Sequence, residues 1–213
     1  MFTGIVQCKA TVISFVGNDS FKTLTLSVAS EYLEQLNIGA SIAINGVCLT
    51  VTQFEDHVSD VVGQVQFDVI DETLEKTNLS NLQRGDKVNY ERSVTFGTEL
   101  GGHIVSGHIH ETAMIEDLVI TEDNCKMSLS IPSQWMKFIL FKGFVSINGC
   151  SLTVGAVREN GFDLHLIPET LSITNLGEVQ IGDELNIEVD QQTYSIVQTV
   201  ERYLKNQNNR AAS

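Results

Sequence analysis

The chain has 213 residues, 42% of them hydrophobic, with 27 acidic against 13 basic side chains and a formal net charge of -14. That length and apolar content suit one or two compact domains with real cores. The acidic balance serves solubility and argues against a nucleic-acid backbone as partner, which needs clustered Lys and Arg.

No apolar run approaches the roughly 18 residues of a membrane span, and Met1 leads straight into an apolar strand without the charged start of a signal peptide. A cytoplasmic chain with no membrane partner is expected. Cys8, Cys48, Cys125 and Cys150 lack the C-x-x-C spacing of a metal or redox site, so free thiols and no bound metal are predicted.

In chain order, the first predicted strand lies in FTGIVQCKATV, residues 2–12. A second follows over 23–28, where Leu24, Leu26 and Val28 alternate with Thr23, Thr25 and Ser27, the period of a half-buried strand. A short helix is predicted over 30–36 with Ser30 as its cap. SIAINGVCLTV (41–51) reads as a hairpin about Asn45-Gly46, and Gly17-Asn18 and Gly85-Asp86 are further turn signals. Gly97, Gly101 and Gly102 make a flexible joint in 92–102. A second set then begins: VSGHIHETAMI (105–115), KMSLSI (126–131), a short helix over 133–140 opened by Ser133, FVSINGCSLTV (144–154), and Gly182-Asp183. Residues 191–205 carry Ile196, Val197, Val200, Tyr203 and Leu204 on one helical stripe after a capping Asp190, and 206–213 read as a disordered polar tail.

The second set is a copy of the first. A constant shift of 103 positions aligns the motifs from residue 2 to residue 51 with their counterparts, and a shift of 97 aligns ETLEKTNL (72–79) with ETLSITNL (169–176) and Asn89 and Glu91 with Asn186 and Glu188. The first copy therefore holds six extra residues between Val51 and Glu72, which either lengthen a hairpin or cover a pocket. The repeat predicts an all-β chain of two similar closed Greek-key barrels in tandem, with short helices and a C-terminal helix. The expected domains are residues 1–98, 99–190 and 191–213, the last being a helix that joins neither barrel, taken as an oligomer contact, and its tail.

Several motifs go further. MFTGIV, NGVCLTV, GGHIVSGHI (101–109), KGFVSINGCSLTV (142–154), LIPETL (166–171) and TVERYL (199–204) resemble riboflavin synthases of the two-barrel type, over the chain as far as about Leu204. That family also contains the lumazine proteins and yellow fluorescent antenna proteins of luminous bacteria. The resemblance implies a dismutation of two 6,7-dimethyl-8-ribityllumazine molecules by four-carbon transfer, giving riboflavin and a ribitylamino-pyrimidinedione, with no metal or redox cofactor. It implies one lumazine per barrel and an active site between barrels of neighbouring subunits in a homotrimer. A non-catalytic lumazine or flavin antenna is the alternative, and lumazine synthase or luciferase are the further partners it allows.

For the reacting groups the resemblance points to Cys48, matched by Ser151 in the second copy, and to Ser41; for each the plain alternative is an ordinary buried thiol or a strand start. His108 stands where the first copy has Ile5, and a histidine there can relay a proton. His103 either orients the joint or reacts. Substrate contacts are expected from Gly4, Ile5 and Val6 and from Gly107, His108 and Ile109, where glycine permits close approach of backbone. The first pocket adds Cys48, Leu49 and Thr50, then Asp68, Val69, Ile70, Asp71, Glu72 and Thr73. The second adds Lys142, Cys150, Ser151, Leu152 and Thr153, then His165, Leu166, Ile167, Pro168, Glu169 and Thr170. One departure from the family concerns Asn148, where its enzymes usually carry Asp, a change expected to alter the second site's electrostatics.

Overall fold

Strands with apolar residues at every second position bury one face each, and a sheet of such strands hides that face by closing on itself. The computed structural model describes residues 1–18, 20–59, 61–121 and 124–211. In the first barrel β1 (Cys8–Asn18), β2 (Phe21–Ala29), β3 (Ser41–Ile44), β4 (Val47–Ser59), β5 (Val62–Ile70) and β6 (Lys87–Arg92) close in the order β1-β2-β5-β4-β3-β6. In the second, β7 (Glu111–Ile120), β8 (Cys125–Ser130), β9 (Phe144–Ile147), β10 (Cys150–Arg158), β11 (Gly161–Leu166) and β12 (Glu184–Val189) close in the order β10-β11-β8-β7-β12-β9. These are the two Greek-key barrels that the repeat predicts. Phe67 and Tyr90 fill the first interior, and Met127 and Phe162 the second, all fully buried.

The six-residue excess lengthens the β4–β5 hairpin: β4 has 13 residues against 9 in β10. Its far end, where Ser59 pairs with Val62, lies eleven residues along β4 from Cys48, about 36 Å of strand at ~3.3 Å per residue. The excess therefore does not cover the Cys48 site. Asp60, at its tip, lies outside the described residues.

The helices differ from expectation at their ends. The first is only a 3-10 turn, Ser30–Leu33, and the next, α2, spans Ser133–Met136. Neither serine is a cap: each is the first helical residue, after Ala29 and Pro132, and no side-chain cap bond forms. Two more short helices, α1 (Asp71–Lys76) and α3 (Pro168–Ile173), follow β5 and β11. The C-terminal helix α4 runs from Gln191 to Ala211, with Asp190 accepting from Thr193 N–H and Oγ1 at 2.8 Å each. Most of the segment expected to be a disordered tail is thus its last turns; residues 212 and 213 lie outside the described set. No helix among the described residues is long and apolar enough to cross a membrane.

The barrels meet at their β3–β4 and β9–β10 turns. Asn45 and Gly46 (φ 45° and 79°) and Asn148 and Gly149 (φ 44° and 81°) make two-residue turns with both residues left-handed, the hairpin geometry that Asn-Gly supplies. A Cβ on Gly46 would lie 2.6 Å from Gly149 N, and one on Gly149 2.8 Å from Gly46 N, so only glycine lets the turns touch. Around this point bonds repeat in pairs. Asn89 N–H donates to Asn45 Oδ1 (2.8 Å) as Asn186 N–H does to Asn148 Oδ1 (2.9 Å). Across the junction Asn89 Nδ2 donates to Asn148 O (2.8 Å) and Asn186 Nδ2 to Asn45 O (2.9 Å). Asn175 N–H meets Asn89 Oδ1 (2.6 Å) and Asn78 N–H meets Asn186 Oδ1 (2.7 Å). The chain has a local twofold axis between its halves.

Candidate functional site

Strand alternation decides which side chains can meet a ligand. In β4 Val47, Leu49 and Val51 turn into the barrel, which leaves Cys48 and Thr50 on the outer face; in β10 Cys150, Leu152 and Val154 turn inward and leave Ser151 and Thr153 outside. The neighbouring strands add Asp68 and Ile70 in one copy and His165 in the other, with Ile167 just beyond β11. Each barrel therefore carries an outward-facing patch of small polar groups at one end, capped by α1 or α3.

A strap of extended chain finishes each patch, and the straps are crossed. Residues 2–6 precede the first barrel but lie on the second: Ser151 N–H donates to Gly4 O at 2.8 Å, and Val6 is buried in the second core. Residues 105–109 precede the second barrel but lie on the first: Cys48 N–H donates to Gly107 O at 2.9 Å, and Ile109 packs against the first core. The straps pair with each other where Phe2 N–H meets Val105 O (2.8 Å) and Val105 N–H meets Phe2 O (3.0 Å). Both glycines are required by contact, since a Cβ on Gly4 would lie 2.6 Å from Ser151 Cβ and one on Gly107 2.5 Å from Cys48 Cβ. Gly4, Ile5 and Val6 thus serve the second barrel, and Gly107, His108 and Ile109 the first, opposite to their order in the chain.

At the first site, Cys48, Val47, Glu72, Thr73, Lys76, Thr77, Gly107, His108 and Ile109 line a cleft of about 350 Å3. Lys76 Nζ and Glu72 Oε1 are paired 2.6 Å apart on α1. Burial pushes the Cys8 and Cys150 thiols up to about 12 and raises that of Cys125, so these three stay protonated at neutral pH and are poor nucleophiles. Cys48 alone of the four stands on a cleft wall.

At the second site Ser151 Oγ lies 2.6 Å from His103 Nδ1, and the His103 ring stacks on Phe144 at 5.2 Å and 13°. Burial lowers the His103 pKa while Asp190 pulls the other way, which favours the neutral imidazole, able to accept the Ser151 proton. The sequence signal for His103 is the Gly-Gly-His run, because Gly102 brings the chain so close that a Cβ there would lie 3.0 Å from Ser151 Oγ. Lys142 precedes β9 with φ 63°, where the first copy has Gly39 at φ 87°. A lysine held in the left-handed region costs roughly 1–2 kcal/mol, a strain typical of functional positions.

Comparison with known proteins agrees with this geometry. The lumazine binding domain matches the chain twice, at residues 3–93 and 106–190. The riboflavin synthase of Escherichia coli (strain K12) is 47% identical over 206 residues, which cover 96% of this chain and 93% of that one. The riboflavin synthase of Bacillus subtilis (strain 168) is 37% identical over 190 residues, 89% and 85% of the two chains. The chain belongs to the riboflavin synthase family. Among solved structures, LumP complexed with riboflavin superposes with a TM-score of 0.79 at 30% identity, covering 90% of this chain and all of that one. LumP complexed with 6,7-dimethyl-8-(1'-D-ribityl) lumazine does so with a TM-score of 0.77 at 28% identity, covering 89% and 99%.

Within this family frame, the expected contact residues divide by facing. Cys48, Thr50, Asp68, Ile70, Ser151, Thr153, His165 and Ile167 present side chains on the patches. Val6, Leu49, Val69, Cys150, Leu152 and Leu166 point into barrel cores and have only backbone to offer. Asp71, Glu72 and Thr73 open α1 as Pro168, Glu169 and Thr170 open α3. Ser41 pairs with Thr50 across β3 and β4, beside the first patch. His108 is exposed in the Cys48 cleft and does not share the Ser151 site, so the two nucleophile candidates each have their own histidine. His110 is no part of either site: it packs on Trp135 and Tyr194, and burial lowers its pKa.

Asn148 sits where the two barrels meet. It is 1% exposed in the junction between the barrels, where its Oδ1 accepts from Asn186 N–H and Asn78 Nδ2 and its Nδ2 faces Asn175 Oδ1 at 3.3 Å. Its side chain is thus committed to the joint between the barrels.

Proposed function

We propose that the chain is a riboflavin synthase, which dismutates two 6,7-dimethyl-8-ribityllumazine molecules into riboflavin and a ribitylamino-pyrimidinedione. The observation that carries this reading is the pair of quasi-equivalent outer patches on two lumazine-binding domains, alike in backbone yet unequal in reacting groups: Cys48 with His108, and Ser151 with His103. Two like pockets suit two copies of one substrate. Unequal side chains suit a donor and an acceptor of the four-carbon unit, and because both partners are the same compound the transfer balances with no outside oxidant or reductant. Deprotonation of a ring methyl needs a base and the adjacent ring position needs a nucleophile. Neutral His103 can take the Ser151 proton, and Cys48 Sγ is the nucleophile on the other barrel. Thr50, Asp68, Thr153 and Lys142 supply the polar contacts for ring and ribityl chain.

Both patches open outward and Ile196, Val200, Tyr203 and Leu204 of α4 are uncovered, so we take the working form to be a homotrimer in which the first barrel of one subunit faces the second barrel of the next. On this reading the protein works in the cytoplasm, where reducing conditions keep its four free cysteines as thiols. The test is direct: purified protein should convert the ribityllumazine to riboflavin, and Cys48→Ser should lower kcat at least tenfold. The likeness to LumP supports a second reading, a chromophore carrier. A preparation that holds one coloured ligand tightly and shows no turnover at saturating lumazine would establish that reading in place of the first.

A further inference from the structure

Each strap is held by a buried carboxylate from the last strand of the opposite barrel. Glu188, on β12 of the second barrel and 2% exposed, accepts from Ser106 N–H (2.7 Å) on Oε1 and from Gly107 N–H (2.8 Å) and His108 N–H (3.1 Å) on Oε2. Those three residues are the strap on the first barrel's Cys48. Glu91, on β6 of the first barrel and 4% exposed, accepts from Thr3 N–H (2.7 Å) and Thr3 Oγ1 (2.9 Å), both on Oε1, and so fixes the strap on the second barrel's Ser151. A buried charge used this way is costly unless its lone pairs are met. Glu188 meets that condition with both oxygens, and at Glu91 the Thr3, Gly4 and Ile5 N–H groups oppose the effect of burial in the same way.

We infer that Glu188 is a positioning residue for the Cys48 site and Glu91 for the Ser151 site, so that each barrel's last strand sets the register of the other barrel's pocket. The chain of contact is short. Glu188 fixes the Gly107 N–H, Gly107 O accepts from Cys48 N–H, and His108 projects from the same segment into the Cys48 cleft. A displacement of the strap moves the imidazole and the cleft wall together. The two carboxylates serve different sites, which a test can use. An amide in place of Glu188 turns an N–H2 group against backbone N–H donors of the Cys48 strap whichever way it flips.

This inference rests on the lumazine-site reading, and the experiment separates the two. Riboflavin should protect Cys48 of the wild-type protein from alkylation by iodoacetamide; if it does not, and no turnover is seen, the site reading itself fails before Glu188 is questioned. With wild-type protection in hand, Glu188→Gln should need at least tenfold more riboflavin for the same protection of Cys48. It should also lower kcat at least tenfold, at an unchanged circular dichroism spectrum and oligomeric state. Glu91→Gln should leave Cys48 protection within twofold of wild type and express its effect on turnover through the Ser151 site. Equal loss of Cys48 protection in both variants, or protection and kcat within twofold of wild type in Glu188→Gln, would overturn the inference. Should Glu188→Gln not fold, Glu188→Asp, which keeps the charge but withdraws it by one methylene, must show the selective loss; failure of both to fold makes Glu188 a folding determinant only and rejects the positioning role.

Discussion

Lys142 shows how much a single residue can say once its backbone is known. In the first copy the equivalent turn uses Gly39, so the left-handed conformation is a property of the fold and the lysine is imposed on it. Lys142→Gly should therefore stabilise the chain by about 1 kcal/mol in thermal or denaturant unfolding, and yet weaken lumazine affinity several-fold in a fluorescence titration. A gain in both would remove Lys142 from the site. His103 makes a second prediction at this scale. Its pKa lies below the ordinary 6.5 because it is buried, so the fold favours the neutral ring, and that contribution is intact above 6.5 and lost as pH falls through the folded value. The acid limb of kcat/KM, which reports the free protein, should have its midpoint below 6.5 and should vanish in His103→Gln. That Cys48 and Ser151 face outward was legible from the repeat, since alternation within NGVCLTV and NGCSLTV fixes it, whereas their choice as reacting groups came from the family resemblance. The partner of Ser151 was not legible: a 2.6 Å contact over 48 positions leaves no periodic trace.

Among the elements, α4 divides its apolar stripe between two tasks. Tyr194 and Val197 pack against the second barrel's core, and Lys137 Nζ holds Glu201 at 2.6–2.8 Å, while Ile196, Val200, Tyr203 and Leu204 are each at least half exposed. An uncovered row of this size on a helix seeks a partner surface. On the homotrimer proposal, the wild-type chain should sediment as a trimer and Val200→Asp as a monomer at micromolar concentration with the barrel circular dichroism retained; an unchanged sedimentation coefficient would rule the stripe out as the contact. The existence of this helix and its Asp190 cap were readable in the sequence, because period and cap are local signals. Its true end was not, since 206–211 hold no apolar period and extend a helix already nucleated. The short helices shrank for the reverse reason: a turn or two has too few bonds to outweigh the strands on either side.

At the scale of the molecule, the twofold asparagine joint accounts for residues that the repeat conserved between its copies without an evident chemical use. Asn89, Asn186, Asn78 and Asn175 came out of the alignment only as matches, since their partners belong to the other barrel. Asn148→Asp tests the joint against the site. Loss of the donor facing Asn175 and burial of a charge should lower stability by about 1–3 kcal/mol and leave kcat within twofold of wild type; a tenfold change in kcat with unaltered stability would return Asn148 to the active site. Two barrels and their order were legible because duplication is visible in any chain that has kept it. The crossing of the straps was invisible, because alignment assigns each segment to its own copy. A half-length chain of this design carries a pocket and a strap that cannot serve each other, so a single barrel would complete its pocket only by exchanging straps with a second copy, and joining the two in one chain replaces that encounter by diffusion with a covalent link.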